Sequence, residues 1–292
     1  MFDLKKISFN EALYTSVTSY KRLAKLHQEI VNINDDHILL ELNIEKRTGL
    51  TFVFCLSLLP LLAKNKGKEL EIVANEKLIK LMSKIGAIEH SNGIIPNKSN
   101  IASNLMDKTR IIKTSDDIFK LVPEITKEAP VQMNVKLTEI FTSKIGEMYN
   151  NSIEHSGAKY VVGGKYYKYQ KNLYCFSCYD TGTGIPQKVM KYMFDSYGKR
   201  LKQKEAFKWA LERGNSTANS ATSIPKIPRG LGLGLLKNFA SLNGGAIRIC
   251  SGKILYVYDK DGEEYYELDN EFIGTLFEMD IVADNKRKYI IK

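Results

Sequence analysis

The chain of 292 residues contains few cysteines and no hydrophobic run long enough to span a membrane. The four cysteines are too few and too scattered for a disulfide framework, so reduced thiols are expected. The longest apolar stretch, from Leu50 to Ala63, is interrupted by Ser57 and Pro60 and is shorter than the roughly 20 residues that cross the hydrocarbon layer. Residues 1 to 10 lack the apolar core of a signal peptide. These absences predict a cytoplasmic protein without a membrane segment.

Basic residues outnumber acidic ones, and the formal net charge is +10. Such a charge suits an anionic partner, but the lysines are dispersed and no stripe of basic residues interleaved with aromatic ones stands out. Nucleic-acid binding is therefore a minor alternative that the sequence does not exclude. The segment from Lys188 to Arg229 is rich in Lys and Arg, which suits phosphate binding.

The N-terminal third alternates between predicted helices and strands, which is typical of a small α/β domain. Apolar residues recur at helical spacing over residues 11 to 31. The elements predicted next are strands at 37 to 42 and 69 to 73 and helices at 51 to 62 and 76 to 85. A segment rich in Asn, Gly, Pro and Ser at 91 to 100 marks a break. The predicted organisation is a small domain at 1–100 and a larger one at 101–292.

The larger domain is also predicted to mix helices with strands. Two strands at 160 to 169 and 173 to 179, joined by a Gln-Lys-Asn turn, indicate an antiparallel hairpin. The other predicted strands are at 109 to 113, 246 to 250, 253 to 258, 264 to 268 and 275 to 281, with a turn at 259 to 262. The predicted helices begin near 115 and cover 131 to 155, the first part of 186 to 229, and 231 to 242.

Two polar residues on the helix predicted at 131 to 155 have the spacing of a ligand-binding pair. Glu147 and Asn151 are four residues apart, so they lie on one face of the helix. The amide oxygen of Asn151 is a suitable ligand for Mg²⁺, and the carboxylate of Glu147 can orient or deprotonate an attacking hydroxyl. On its own, the pair is also what a solvated helix face shows.

A second polar segment follows the strand predicted at 173 to 179 and reads Asp180-Thr-Gly-Thr-Gly-Ile-Pro186. A carboxylate at a strand end can accept a hydrogen bond from an exocyclic amine such as that of adenine. Gly182 and Gly184 allow the backbone to approach a ligand closely. On its own, the segment is also typical of an ordinary Asp-x-Gly turn.

A third segment, Arg229-Gly-Leu-Gly-Leu-Gly-Leu-Leu236, places glycine at every second position beside a predicted helix. Glycines let the backbone wrap around phosphate oxygens, and a helix N-terminus supplies N–H groups and a favourable dipole. The pattern is neither a P-loop nor a dinucleotide-binding fingerprint, because no lysine follows in the required place and a polar loop precedes it.

Together these segments resemble the motifs of the GHKL ATPase superfamily, which groups the gyrase B subunit, the large heat-shock chaperone, histidine kinases and mismatch-repair ATPases. Glu147-Met-Tyr-Asn-Asn151 is similar to the N box, and Asp180-Thr-Gly-Thr-Gly184 to the first glycine box. Gly230-Leu-Gly-Leu-Gly234 is similar to the second glycine box, and Gly274-Thr275 to the closing Gly-Thr. Order and spacing agree over roughly 160 residues, which makes the joint match far more specific than any single motif.

The resemblance implies a two-layer α/β sandwich, the Bergerat or histidine-kinase-like ATPase fold, with a mixed, mainly antiparallel sheet covered on one face by helices. It assigns Mg²⁺ to Asn151, the adenine amine to Asp180, a water-linked adenine contact to Thr275, and the phosphates to the backbone from Gly230 to Leu235. A lid at about 187–229 would close over ATP. The ATP-binding residues that the resemblance implies are Asn151, Asp180, Gly182, Gly184, Ile185, Lys226, Arg229, Gly230, Leu231, Gly232, Leu233, Gly234, Leu235 and Thr275.

Glu147 distinguishes among branches of the superfamily, because the sequence resembles the hydrolysing and serine-kinase branches in having Glu there. The segment from Glu147 to Ser156 is most similar to anti-sigma-factor serine kinases. A histidine-kinase-like protein is an alternative, and His27 is its only helical phosphoacceptor candidate. The N-terminal domain is similar in its element order to the STAS fold, which implies a regulatory or interaction module.

Two classes of function follow from the resemblance. In the first, the protein is an ATPase or serine protein kinase in which Glu147 activates water or a protein hydroxyl and Mg²⁺ polarises the γ-phosphate. In the second, it is a nucleotide-gated interaction switch with little turnover. Both imply ATP, Mg²⁺ and a protein partner or substrate. Both also allow the protein to be a homodimer.

Overall fold

The structure, a computed structural model, describes residues 5–44, 48–85, 108–168, 171–212 and 231–291. Within these ranges the chain is a mixed α/β protein with a five-stranded antiparallel sheet and two small parallel sheets. The strands are β1 (Lys5–Phe9), β2 (His37–Leu42), β3 (Glu69–Ala74), β4 (Lys108–Ile112), β5 (Val131–Met133), β6 (Val161–Lys168), β7 (Leu173–Asp180), β8 (Ala246–Asp259), β9 (Gly262–Val282) and β10 (Asp284–Tyr289). The helices are α1 (Val17–Asn32), α2 (Leu50–Ser57), α3 (Leu59–Asn65), α4 (Glu76–Lys84), α5 (Ser115–Glu128), α6 (Val135–His155), α7 (Ile185–Tyr197), α8 (Gln203–Leu211) and α9 (Leu231–Asn243). No helix in the described ranges is long and apolar enough to cross a bilayer.

The N-terminal unit, which comprises the described residues up to 85, is built on a parallel sheet in the order β1-β2-β3. α1 connects β1 to β2, and α2 and α3 connect β2 to β3. Ser16 caps α1 by accepting a hydrogen bond from the backbone N–H of Ser19, so the helix begins later than the predicted residue 11. The α/β character expected for this region is confirmed, whereas β1 was not predicted.

The five-stranded sheet has the order β4-β6-β7-β9-β8, and every neighbouring pair is antiparallel. The predicted hairpin is present as β6 and β7, and the predicted turn at 259 to 262 joins β8 to β9. The segments predicted as three or four strands after residue 245 all lie in strands, but the breaks predicted at 251–252 and 269–274 were wrong, because β8 and β9 are long strands of 14 and 21 residues. The register between β8 and β9 shifts at Gly252, where φ is +57°, and the two strands stay paired on both sides of the shift.

Both faces of the five-stranded sheet are buried. Phe176 in β7 faces a core formed with α5, α6 and α9, whereas its neighbour Cys175 faces the N-terminal unit. On that second face, the hydroxyl of Tyr166 in β6 donates a hydrogen bond to Thr51 in α2 at 2.9 Å. The resemblance led us to expect helices on one face only, so the second covered face is an additional feature of this chain.

The domain boundary predicted at residue 100 lies outside the described residues, which exclude 86–107. It therefore stays a prediction. The hydrophobic core on the second sheet face nevertheless includes residues from both sides of this boundary, such as Leu23 and Phe54 from the N-terminal unit and Tyr179 and Leu276 from the sheet. The two parts of the chain therefore share buried apolar surface.

α6 is shorter than the helix predicted at 131 to 155. Val131–Met133 form β5, which pairs in parallel with β10, and Asn134 caps α6 by accepting a hydrogen bond from the backbone N–H of Leu137. The side chain of Asn134 ends the extended segment and starts the helix, and the apolar periodicity of the sequence does not reveal this change. Of the region predicted as a lid, the first part forms α7 and α8, and residues 213–230 lie outside the described ranges.

Candidate functional site

Asp180 is the last residue of β7, and its carboxyl group is buried on the sheet face that α6 covers. Its Oδ1 accepts a hydrogen bond from the backbone N–H of Gly182 at 2.9 Å. The hydroxyl of Ser152 and the backbone N–H of Thr275 also bond to the carboxyl. Burial raises the pKa of Asp180 to about 7, although these hydrogen bonds and the charge of Lys188 act against the rise. A buried acid with a strongly perturbed pKa is typical of a functional site.

The loop after Asp180 runs very close to the end of α6. The backbone N–H of Thr183 donates to the carbonyl oxygen of Ser156 at 3.0 Å. A Cβ atom at Gly182 would overlap that same carbonyl oxygen, so only glycine fits there. Gly184 has φ of +88° and directly precedes α7. The two glycines predicted for close backbone approach therefore meet steric and conformational requirements inside the protein.

Gly274 and Thr275 lie beside Asp180 on β9. Thr275 is the β-ladder partner of Asp180, and a Cβ atom at Gly274, where φ is +81°, would overlap the carbonyl oxygen of Asp180. Ser251 in β8 connects β9 to α7. Its hydroxyl donates to the carbonyl oxygen of Gly274 and accepts from the backbone N–H of Ile185, both at 2.9 Å. The sequence contained no motif that identified Ser251.

The C-terminal part of α6 brings Asn151 to the same end of the sheet. Ser152, the next residue, bonds to Asp180 and lies 3.5 Å from the Cys178 sulfur, so it faces the sheet. Thr142 of α6 contacts Thr126 of α5 at 3.0 Å. Asn151 follows Thr142 by nine residues, and at about 100° per residue it points to the opposite side of α6, away from α5. Its side chain is exposed on that side.

Glu147 lies one turn before Asn151 on α6. Its Oε2 forms an ion pair with Nζ of Lys144 at 2.9 Å, and the Glu147 side chain is 33% exposed. The sequence analysis did not identify Lys144 as a partner. A substrate hydroxyl or water molecule that approaches Glu147 therefore has to share the carboxylate with this lysine.

α9 runs antiparallel to α6, and this places the glycine run at the same end as Asn151. The N-cap of α6, Asn134, bonds to the carbonyl oxygen of Tyr289, and the last residue of α9, Asn243, bonds to the Tyr289 hydroxyl. Between these ends, Phe141 of α6 packs on Phe239 of α9 with ring centroids 5.0 Å apart. The first turn of α9 therefore lies level with the last turns of α6.

The glycine run forms the first turn of α9 from Leu231 onward. Backbone N–H groups in a first helical turn have no partner within the helix and can bind an anion. Among the described residues, no atom lies within 4 Å of a Cβ atom built on Gly234, so they leave open space beside this turn. Gly230, Lys226 and Arg229 were predicted to contact phosphate and lie outside the described residues. Their roles stay predictions.

The N-terminal unit also contacts the candidate site. The side-chain amide of Asn65, at the end of α3, donates to the carbonyl oxygen of Thr181 at 2.9 Å, directly beside Asp180. His27 on α1 is fully buried, and its Nδ1 accepts from the backbone N–H of Ile273 at 3.2 Å. Burial lowers the pKa of His27 to about 3. This burial is incompatible with His27 as an accessible phosphoacceptor.

A separate cluster of charges is buried between the sheet and α1. Lys168 and Arg248 each form ion pairs with both Glu278 and Asp280, at 2.7 to 3.0 Å. Although burial raises the pKa of Asp280, the two cations outweigh it and hold that pKa below its ordinary value. Cys175 and the two carboxylates are close enough to hold a metal ion, but the cations already neutralise both carboxylates. The arrangement therefore reads as a neutral ion-pair network.

The end of α6, the end of β7 with its loop and the Gly-Thr of β9 thus meet at one end of the five-stranded sheet, and the packing of α9 on α6 directs the first turn of α9 toward the same end. No protein-family model matches the sequence, and no curated protein matches it either. The assignment of a family therefore stays a prediction from the motifs.

Proposed function

We propose that this protein binds ATP together with Mg²⁺ where α6, β7 and α9 meet, and that it belongs to the GHKL superfamily with a Bergerat-type sandwich. The observation that carries the proposal is the hydrogen bond between Ser152, adjacent to Asn151, and the buried carboxyl of Asp180. It connects the segments similar to the N box and the first glycine box, which are distant in sequence. The antiparallel packing of α9 on α6 supports a third contribution from the glycine run.

The residues fit the proposed ligand in their chemistry. Asp180 is a buried acceptor at a strand end, as recognition of an adenine amine requires. The first turn of α9 can bind phosphate oxygens through backbone N–H groups. The exposed amide of Asn151, on the side of α6 away from α5, can contribute an oxygen ligand to Mg²⁺. Bound ATP and Mg²⁺ would supply the transferable γ-phosphoryl group and the charge that neutralises it.

The first function to test is phosphoryl transfer, in which Glu147 orients or deprotonates the attacking water or protein hydroxyl. The proposed reaction is that of an ATPase or of a serine kinase similar to anti-sigma-factor kinases, acting on a protein substrate. The N-terminal unit, which we propose to be STAS-like, would then regulate the site or bind the partner. The contact from Asn65 to Thr181 supports a regulatory role, because it reaches the loop beside Asp180.

Binding is tested by calorimetric titration of ATP into the full chain with and without Mg²⁺. We expect Asp180→Asn to weaken ATP binding and Asn151→Ala to remove the Mg²⁺ dependence. Asp269→Asn, at a carboxylate with 72% of its side chain exposed, is the matched control and should leave both unchanged. Unaltered affinity and metal dependence in both site variants would contradict the proposal.

A nucleotide-gated switch is the second candidate function, and the ion pair between Lys144 and Glu147 favours it. This pair holds the carboxylate at 2.9 Å, so a substrate has to compete for the proposed base. Release of γ-phosphate separates the two candidates. An enzyme loses turnover in Glu147→Ala but keeps ATP affinity, whereas Glu139→Ala, at an exposed position two turns earlier on α6, has no effect. A parent protein without turnover, alone and with co-purifying proteins, supports the switch.

A further inference from the structure

The connection between α7 and α8 presents aromatic and basic side chains on the surface. Phe194 and Tyr197, in the last turn of α7, are 51% and 67% exposed. Gly198 ends the helix with φ of +63°, and the next residues include Lys199, Arg200 and Lys202, all exposed. We refer to Phe194 through Lys202 as the α7–α8 tip. Exposed rings beside uncompensated cations are unusual on a protein surface without a binding role.

In the part of the chain that the structure describes, no acidic side chain forms an ion pair with the cations of the α7–α8 tip, although Glu205 accepts from the backbone N–H of Lys202 at 2.8 Å. Within the described ranges, Lys199, Arg200 and Lys202 form no ion pair, and Asp195 is already paired with Lys191 at 2.6 Å. The adjoining segment 213–230 contains Arg and Lys but no Asp or Glu, so it supplies no partner either. The positive charge of the tip is therefore available to an external anion.

Phe194 and Tyr197 lie at the end of α7 that is remote from Asp180. α7 begins beside the loop of Asp180 and has 13 residues, so its far end lies about 20 Å away along the helix axis. At 0.15 M salt this exceeds the Debye length of about 8 Å. Contacts with a ligand at Asp180 therefore do not account for the exposed rings at this end of α7. Lys202, by contrast, is next to Gln203, which shares the Glu271 carboxylate with Gln187 in the first turn of α7.

The chemistry of the tip favours single-stranded nucleic acid over other anions. The Arg200 guanidinium lies 5.7 Å from the centre of the Phe194 ring, which places a planar cation and an exposed ring together. Such groups stack on unpaired bases, while neighbouring lysines contact the phosphates. A duplex keeps its bases inside and would not use the rings. An anionic membrane requires an apolar helix face, but that face of α7, with Val189 and Met193, is already buried inside the protein.

We propose that the α7–α8 tip binds single-stranded nucleic acid, with bases stacked on Phe194 and Tyr197 and phosphates contacted by Lys199, Arg200 and Lys202. The proposal does not rest on ATP binding. The excess of basic residues in the whole chain provides long-range attraction to the same partner.

The test measures fluorescence anisotropy of a labelled 20-nucleotide oligo-dT strand with the full chain over a salt series. In single strands each phosphate contact contributes a slope of about −0.7 to the dependence of log affinity on log salt. The triple variant Lys199→Ala/Arg200→Ala/Lys202→Ala should therefore make the slope shallower by about 2. The double variant Phe194→Ala/Tyr197→Ala should lower affinity at least about tenfold with little change in slope, because stacking is lost while the cations remain.

The matched control is Lys5→Ala/Lys66→Ala/Lys77→Ala, which removes the same charge from exposed positions of the N-terminal unit. It should retain nearly the parent slope. Asp180→Asn should bind the strand like the parent, so failure of the ATP proposal would leave this one intact. The proposal is overturned if the parent does not bind oligo-dT at 50 mM salt, or if the control triple weakens binding as much as the tip triple. Equal affinity for a duplex of the same length, unchanged binding by the aromatic variant, or preferential binding to phosphatidylserine vesicles would overturn it too.

Discussion

The buried carboxyl group of Asp180 should make the stability of the protein depend on pH in a way that a fully exposed aspartate would not. Burial raises its pKa from 3.8 to about 7, so the folded protein holds a proton that the unfolded chain releases. The stabilising contribution is therefore fully present below pH 3.8 and is lost as the pH rises through about 7. The pKa difference of about 3 corresponds to about 4 kcal/mol in total, since each pKa step equals about 1.4 kcal/mol.

The variant Asp180→Asn isolates this contribution. The amide keeps an oxygen that can accept from Gly182 but has no charge to desolvate, so its stability should not follow the same pH dependence. Relative to the parent, the variant should gain roughly 2.5 kcal/mol between pH 5 and pH 8, which is the part of the linkage that falls in this window. The stability of the variant relative to the parent should thus be higher at pH 8 than at pH 5, although the variant should bind ATP poorly.

This change in relative stability is measured by urea unfolding at pH 5 and pH 8. The proteins compared are the parent, Asp180→Asn and the exposed control Asp269→Asn. The control should follow the parent at both values. A stability difference between Asp180→Asn and the parent that stays constant from pH 5 to pH 8 would refute the reasoning. ATP affinity should change in the opposite sense, because an adenine amine donates to the ionised carboxylate. The parent should therefore bind more tightly as the pH rises through 7.

Three further predictions follow from single contacts. Gly274→Ala should destabilise the protein by more than about 4 kcal/mol in urea unfolding, because the added Cβ atom would overlap the backbone of Asp180. Gly67→Ala, at φ of +77° but with no described atom within 4 Å, should cost only about 1 to 2 kcal/mol. Asn65→Ala should lower the free energy of unfolding by only about 1 kcal/mol but weaken ATP binding several-fold in calorimetry. If the variant binds ATP as tightly as the parent, Asn65 has no role in positioning the loop. Glu278→Gln should lower the free energy of unfolding by about 3 to 5 kcal/mol, because it leaves one cation of the buried network without a carboxylate. A loss of less than about 1 kcal/mol in urea unfolding would show that the network is hydrated.

Much of the fold was accessible from the sequence where a local signal existed. β2 matches its prediction residue for residue, because its alternating burial gives a clear periodicity of two. β1 was missed because its Lys-Lys-Ile-Ser-Phe sequence is half polar and short. β8 was divided at Gly252 because this glycine marks a bulge in the structure, and bulges and turns share the same residues. β9 was divided over residues 269 to 274, a segment that begins with three polar residues and ends at Gly274, where φ is +81°.

The sequence of β7 already indicates that both faces of the sheet are buried. The residues of β7, Leu-Tyr-Cys-Phe-Ser-Cys-Tyr, are almost continuously apolar, which is typical of a strand covered on both sides. The site was less accessible. Motifs identified Asn151 and Asp180, but Ser152 and Ser251 are single polar residues whose roles depend on neighbours far away in sequence. Periodicity carries no information about such contacts.

β9 contacts both the N-terminal unit and the candidate site. Its residue Thr275 bonds to Asp180, and two residues earlier its backbone N–H at Ile273 donates to His27 of α1. The side chain of Gln28 donates to the backbone of Glu271 on the same strand. If the proposed ligand shifts Thr275, we expect the packing of α1 on β9 to change as well. Removal of the N-terminal unit would expose the apolar sheet face, so the C-terminal half should lose both stability and ATP affinity when expressed alone.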